Sequence, residues 1–463
     1  MSSQQSTKAA GKPGLIKSLS HTWRALRHRN FRLYMGGQSI SLIGTWMTRV
    51  AIFWLAYRLT GSSLSLGEVG FIGQIPTFFL APLAGVLVDR IDRRKIMIVT
   101  QILAMLESLA LAALTLARMI NIYELMALAF LQGCTTAFDT PARQALMAQL
   151  VETRDELSNA IALNAAMTDS SRLIGPSLAG LLIAATNEGW CFLVDGISFI
   201  AVIVSLLKIR IKSVAREPVK ASMITQLREG WTYITGSLPL RSILLLFAVV
   251  SLMGWPFMTL MPVFAVKVLH GGAHTMGFLT GAVGLGAFLA AMSMVLRRNV
   301  LGLEISLPQS ALLFGAGLIC FGFSHWQWLS MLIMVITGLG MIKGLVTSNT
   351  IMQTLTEERM RGRVMSYYTL AMLGLAPFGN LLAGLMANAI GAPRTVMISG
   401  AICIAGGLWF WSQLRRIRAE MHPIYQRRGI FPTAGSVQKI GVDLELRPER
   451  LRQGCDLLRK SQP

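Results

Sequence analysis

The sequence predicts an all-α polytopic membrane protein of twelve transmembrane helices in two pseudo-symmetric six-helix bundles. Three observations carry this. Apolar runs of bilayer length recur along the chain, basic residues gather in alternate connections, and several local patterns return at one fixed offset.

Composition sets the class first. Of 463 residues, 53% are hydrophobic and only 14% charged, with a mean hydropathy of +0.55. A soluble domain carries about a quarter charged residues. A spanning helix needs roughly 20 apolar residues. Runs such as 242–266 and 395–411 hold little or no charge over most of that length. By this criterion spans lie near 35–58, 67–88, 96–118, 123–148, 159–185, 189–208, 241–266, 275–296, 303–324, 327–352, 364–389 and 393–414.

The net charge of +21 raises a nucleic-acid partner, which the placement of the charges excludes. Lys and Arg lie between the apolar runs: seven before residue 33, then Arg90, Arg93, Arg94 and Lys95; Arg154; Lys208 to Arg228; Arg297 and Arg298; Arg359, Arg361 and Arg363; and Arg415, Arg416 and Arg418. The intervening loops hold only Arg58, Arg118, Lys267 and Arg394. The positive-inside rule then puts both termini in the cytoplasm and requires an even number of spans. The membrane expected is a bacterial inner membrane. The first apolar run, near Met35, is too long and too late for a cleaved signal peptide. Five scattered cysteines (Cys134, Cys191, Cys320, Cys403, Cys455) form no CxxC pair and no disulfide framework.

The domain boundaries follow. Residues 1–34 form an N-terminal cytoplasmic tail, 35–208 the first bundle and 241–415 the second. The connection 209–240 holds a segment, 223–234, patterned as an amphipathic helix for the membrane surface. The polar, basic segment 416–463 reads as a cytoplasmic extension. An offset of 204 positions relates Arg93 to Arg297, Gln149 to Gln353, and Gly175-Pro-Ser-Leu-Ala-Gly180 to Gly379-Asn-Leu-Leu-Ala-Gly384. Two parallel six-span repeats place a site between the halves.

The strongest local motif is Gly85-Val-Leu-Val-Asp89-Arg90-Ile-Asp92-Arg93-Arg94-Lys95, between spans two and three. Gly85 allows close helix approach, Asp89 caps a helix N-terminus, and the basic residues pair with acids or headgroups. The motif resembles the signature loop of the major facilitator superfamily, with Asp92 where a glycine is usual. That resemblance implies a conformational latch of Gly85, Asp89, Arg90, Arg93 and Arg94, completed by Asp139 of span four.

Four further stretches narrow the resemblance: Asn30-Phe-Arg-Leu-Tyr34 with Gly37–Met47, Ala137-Phe-Asp-Thr-Pro-Ala-Arg-Gln-Ala145, Asn349–Gln353 and Arg361–Ser366. Together, over residues 30–415, they resemble the enterobactin-exporter branch, the transmembrane secretion effectors. The resemblance implies export of a siderophore or drug-like molecule in exchange for protons. Arg172, Gly175 and Pro176 partly match an antiporter motif, with Ala179 where a second glycine often stands.

Charges inside spans cost on the order of +2.5 to +3.5 kcal/mol each at mid-helix, so each needs a reason. They are Arg49, Glu107, Asp139, Arg143, Asp169, Arg172, Asp195 and Lys343. Asp169 and Arg172, at i, i+3, can neutralise each other as a structural pair or act in function. Asp139 and Lys343 share the offset of 204 and are expected to face each other across the inner mouth, where their attraction would help hold the outward-open state. Arg49 and Lys343 suit an anionic substrate if they line the cavity; the alternative is that each pairs with an intramembrane acid. Proton carriers are sought among Asp139, Asp169, Asp195 and Glu107. Trp46, Gln132, Trp255 and Asn349 complete the expected cavity lining, with Gln38, Thr45, Thr136, Gln353 and Asn380 as further polar candidates. Pro76, Pro256 and Pro377 predict kinks.

No GxxxxGK[ST], GxSxG or HExxH motif occurs. Hence neither enzyme chemistry, metal nor cofactor is expected. The expected partners are a small molecule, protons and membrane lipids. Rival readings are a lipid or lysophospholipid transporter of the same fold, and a non-transporting membrane scaffold.

Overall fold

The computed structural model describes residues 24–147, 149–151, 154–209, 223–297 and 302–427. Expectations placed on the N-terminal tail, on 210–222, on Arg298 and on the tail beyond 427 lie outside the described residues. So do those placed on the side chains of Asp89, Arg90 and Arg154.

All regular elements described are helical. The first half comprises α1 (Arg29–Thr60), α2 (Ser63–Arg90), α3 (Arg93–Leu116), α4 (Ile122–Met147), α5 (Arg154–Ala185) and α6 (Glu188–Lys208). A short helix, α7 (Met223–Thr235), follows. The second half comprises α8 (Leu238–Val268), α9 (Ala273–Val295), α10 (Leu303–Phe323), α11 (Gln327–Leu355), α12 (Glu358–Ile390) and α13 (Ala392–Ser412). The last described helix is α14 (Leu414–Arg427).

Ten of these helices are long and apolar enough to cross a bilayer. The two exceptions within the halves are α4 and α5. At 26 and 32 residues they have the length. They fall short in apolarity because α4 carries Asp139 and Arg143, and α5 carries Asp169 and Arg172. A twelve-crossing layout therefore fits, with the two polar spans shielded inside the bundle.

Two helices are irregular. In α8, π-type turns at Val250–Gly254 and Phe264–Val268 flank a 3-10 stretch, Trp255–Leu260, that contains Pro256. In α12 a π turn, Leu370–Gly374, precedes Pro377. Proline lacks an N–H, so the local hydrogen bonds regroup around it. Pro76, by contrast, lies within the unbroken α2.

Within the first half, α1 packs on α5 and α6, α2 on α4, and α3 on α6; in the second, α9 packs on α11 and α10 on α13. The halves meet chiefly through two pairs, α5 with α9 and α2 with α12. Glycine makes both contacts close. A Cβ at Gly180 would lie 2.8 Å from Gly277 Cα, and one at Gly384 would lie 2.7 Å from Gly67 Cα. Gly180 and Gly384 are themselves mates at the repeat offset of 204. Helices approach this closely only where neither backbone carries a side chain.

All four glycines lie toward the end of the bundle that carries the short, weakly charged connections. Toward the basic end, the same helices expose Phe79 (66%), Leu83 (62%) and Ile161 (52%). Among the described residues, the glycine-to-glycine contacts between the halves thus lie toward the weakly charged end.

Two amphipathic helices brace the second half. α7 docks on α12 through the Glu229–Arg363 ion pair and a Trp231–Tyr367 ring contact at 5.6 Å. α14 buries Leu414, Ile417, Met421 and Tyr425 and exposes Arg415, Arg416 and Arg418.

Candidate functional site

The middle of α1 and α5 carries the densest charge constellation away from the ends. Trp46 and Arg49 are one turn apart on α1, and the Arg49 Cζ lies 4.9 Å from the Trp46 ring centroid. Arg172 of α5 reaches the same ring, at 5.1 Å. Both contacts have cation–π geometry. Gly175 is why the helices come that close: a Cβ there would lie 2.6 Å from Trp46 Cβ and 2.9 Å from the Ile43 carbonyl.

Pro176 adds a second effect. It cannot donate to the Arg172 carbonyl four residues back. Gly284 of α9 packs against that carbonyl, so close that a Cβ there would lie 2.6 Å away. The antiporter-like residues therefore join α5 both to α1 and to the other half.

The Asp169–Arg172 pair expected from i, i+3 spacing forms, at 3.6 Å. It leaves Arg172 under-used, since its Nε and Nη1 lack hydrogen-bond partners and are buried. Arg49 is exposed although it lies mid-span. An exposed guanidinium beside Arg172 marks a water-accessible space inside the bundle.

Asp139 is committed elsewhere than expected. It pairs with Arg143, one turn on along α4. It also accepts from Thr100 Oγ1 at 3.0 Å and Gln101 Nε2 at 2.7 Å, both on α3. Among the described residues no Asp139–Lys343 ion pair is present in this conformation, in which Asp139 is held by its i, i+4 neighbour. Lys343, half-buried in α11, has no ion pair among the described residues.

The loop basics also do more local work than the latch implies. Arg93 Nη1 donates to the Ala145 carbonyl at 3.3 Å. Arg94 donates to the Leu206 and Leu207 carbonyls at 2.7 and 2.8 Å. These are orphan carbonyls at the C-terminal ends of α4 and α6, where cations are favoured. Asp92 accepts from the Arg94 backbone N–H at 2.9 Å, so it is the N-cap of α3. That cap explains a carboxylate where a glycine is usual. Among the described residues, a Cβ at Gly85 would meet nothing within 4 Å in this conformation.

Two carboxyls lie deep between α1, α3 and α6. Asp195 Oδ2 accepts from Thr48 Oγ1 at 2.8 Å and Ser108 Oγ at 3.0 Å. Its Oδ1 has no partner and fills the space that Gly44 leaves open. Glu107, beside Ser108, is buried with neither carboxyl oxygen hydrogen-bonded. Among the described residues neither acid has a cation in ion-pair contact.

The other candidates divide. Gln132 and Trp255 are half-buried, and Asn349 accepts from Gln353 at 2.7 Å one turn along α11. Asn380 does not line a path: it accepts from Thr259 at 2.9 Å, donates to the Gly70 carbonyl at 3.4 Å, and so ties the halves together. Thr48, Thr100, Gln101 and Ser108 were not singled out from the sequence, although a hydroxyl or amide in an apolar span was a usable signal.

Comparison with known proteins agrees with this architecture. The family model described as transmembrane secretion effector matches residues 20–430. The staphyloferrin A transporter of Staphylococcus aureus is 24% identical over 394 residues, 84% of this chain and 98% of that protein. Macrolide efflux protein A of Streptococcus pyogenes is 24% identical over 390 residues, covering 81% and 94%. A bacterial homologue of the human lysosomal transporter Spinster, in a crystal structure, shares the fold with a TM-score of 0.64 at 15% identity, over 85% of this chain and 98% of that one. The chain belongs to the transmembrane secretion effector family of the major facilitator superfamily, and is a multi-pass membrane transporter rather than an enzyme.

Proposed function

We propose that the protein is a secondary active exporter of a bacterial inner membrane, moving a small amphipathic molecule outward in exchange for protons. Both termini are cytoplasmic in this reading, so the basic end faces the cytoplasm, and close glycine contacts at the opposite end suit an inward-open state. The observation that supports it best is the pair of glycine-to-glycine contacts, Gly180–Gly277 and Gly67–Gly384, both toward the weakly charged end. Two halves that touch at one end and part at the other can exchange ends around mid-span charges.

Proton exchange fits Glu107 and Asp195 better than Asp139 and Asp169. A carboxyl held by an arginine already has its countercharge; one without a cation can bind a proton in that place. The efflux reading is also supported by the relatives named for macrolide efflux and multidrug efflux.

The test is movement of erythromycin, ethidium and 2,3-dihydroxybenzoate into everted membrane vesicles carrying an imposed pH gradient. Gradient-dependent accumulation of at least one, lost on adding a protonophore, is the expected result. Accumulation that ignores the gradient would remove the coupling. A lipid-moving reading rests on an apolar groove of about 320 Å³ between α8 and α13, lined by Leu245, Leu246, Val249, Ile402, Ala405, Gly406 and Trp409. Movement of a fluorescent lysophospholipid, with none of the three solutes moved, would favour it.

A further inference from the structure

We infer that Arg49, Trp46 and Arg172 form one subsite for a carboxylate, and hence that the substrate is an organic anion. The inference deepens the exporter reading and rests on it only in calling the bound anion a substrate. The mid-span cations that are incompletely matched are what point to it.

Two guanidiniums share one indole, at 4.9 and 5.1 Å. Like charges held on one ring inside a membrane protein repel each other, and an anion between them removes that cost. Asp169 answers only one of the two, and does so at 3.6 Å. Arg49 has no ion pair among the described residues and is exposed. Arg172 keeps Nε and Nη1 buried and without hydrogen bonds. Nη1 is the atom that faces Asp169, so Nε together with the Arg49 guanidinium is what remains to meet the oxygens of a carboxylate. Trp46 has a positioning part: its ring holds both forks in place before the anion arrives.

The geometry also explains why Gly175 is small. Any side chain there would push α5 from Trp46 and draw Arg172 off the ring.

The test uses two catechols of matched size and opposite charge, 2,3-dihydroxybenzoate and dopamine, with citrate as a non-aromatic carboxylate. Binding to the purified full-length protein in detergent is followed by equilibrium dialysis. Expected is saturable binding of at least one carboxylate and none of dopamine. Arg49→Gln and Arg172→Gln should each weaken carboxylate binding about tenfold or more, the usual loss for a charged hydrogen-bonded partner. Arg172→Lys should fall between, since it keeps the charge and loses the fork.

Dopamine binding as tight as that of 2,3-dihydroxybenzoate overturns the inference. So does failure of both carboxylates to bind, or Arg49→Gln binding within roughly twofold of the parent. Arg49 is exposed, so its variant serves even where an Arg172 variant fails to fold. Vesicle export of ethidium without any carboxylate binding defeats the subsite and leaves the exporter. Carboxylate binding without gradient-driven movement of any probe defeats the exporter and leaves the subsite.

Discussion

The Arg172 guanidinium lies over the Trp46 indole, 5.1 Å from its centroid, and Gly175, one turn further along α5, makes the approach that allows it. A motif glycine on one helix thus sets the position of an arginine against an aromatic ring on another.

That relationship predicts the effect of filling the space. Gly175→Ala should destabilise the purified protein by about 1–3 kcal/mol, the usual cost of overpacking, and Gly175→Val by more. Scanning fluorimetry and vesicle transport measure the two consequences. A Gly175→Val protein as stable and as active as the parent would show that α1 and α5 do not need this approach.

The Asp139–Arg143 pair predicts a cycle. Asp139→Asn leaves the Arg143 guanidinium without its countercharge, a loss of about 3–5 kcal/mol for a buried pair. The double variant Asp139→Asn/Arg143→Gln should recover part of it. An Asp139→Lys/Lys343→Asp exchange should do no better than its single variants. Recovery of stability in that exchange would instead restore the cross-mouth pairing.

Glu107 and Asp195 predict a separation of coupling from folding. Glu107→Gln and Asp195→Asn preserve shape, and an asparagine oxygen still accepts from Thr48 and Ser108. Each variant should reach the membrane in normal amount, and at least one should lose gradient-driven accumulation while keeping passive exchange of substrate. Asp169→Asn is the comparison. If both deep-acid variants accumulate substrate at the parent rate, the proton travels elsewhere.

The glycine contacts predict a shift of conformation. Gly180→Leu or Gly67→Leu cannot keep backbones whose Cβ would stand 2.8 Å from a facing glycine Cα. Spin labels at Ser62 and His270, in a cysteine-free background, should move apart in the electron–electron distance distribution. An unchanged distribution would mean that this end is held by something other than the glycine pairs.

Much of the fold was legible in the residues. Apolar runs, basic connections and the offset of 204 named two similar helical halves, and the structure has such halves in α1–α6 and α8–α13. Less of the site was legible. The i, i+3 pair Asp169–Arg172 followed from spacing on one helix. Asp139 did not, because its i, i+4 neighbour Arg143 was passed over for a symmetry mate on another helix. Asp92 was taken as a departure from a pattern, although its place just before α3 fits an N-cap.

The residues alone determined that this chain crosses a membrane as helices in two related sets. In lipid every backbone polar group must be satisfied within its own helix, so apolar length dictates the element. Tertiary structure alone decided which polar side chains meet: Trp46 with Arg172, Thr100 and Gln101 with Asp139, Thr48 and Ser108 with Asp195. The physical reason is rotation about the helix axis. A span that is apolar on nearly every face carries no stripe to say which way it turns, and only close packing against its neighbours sets that angle.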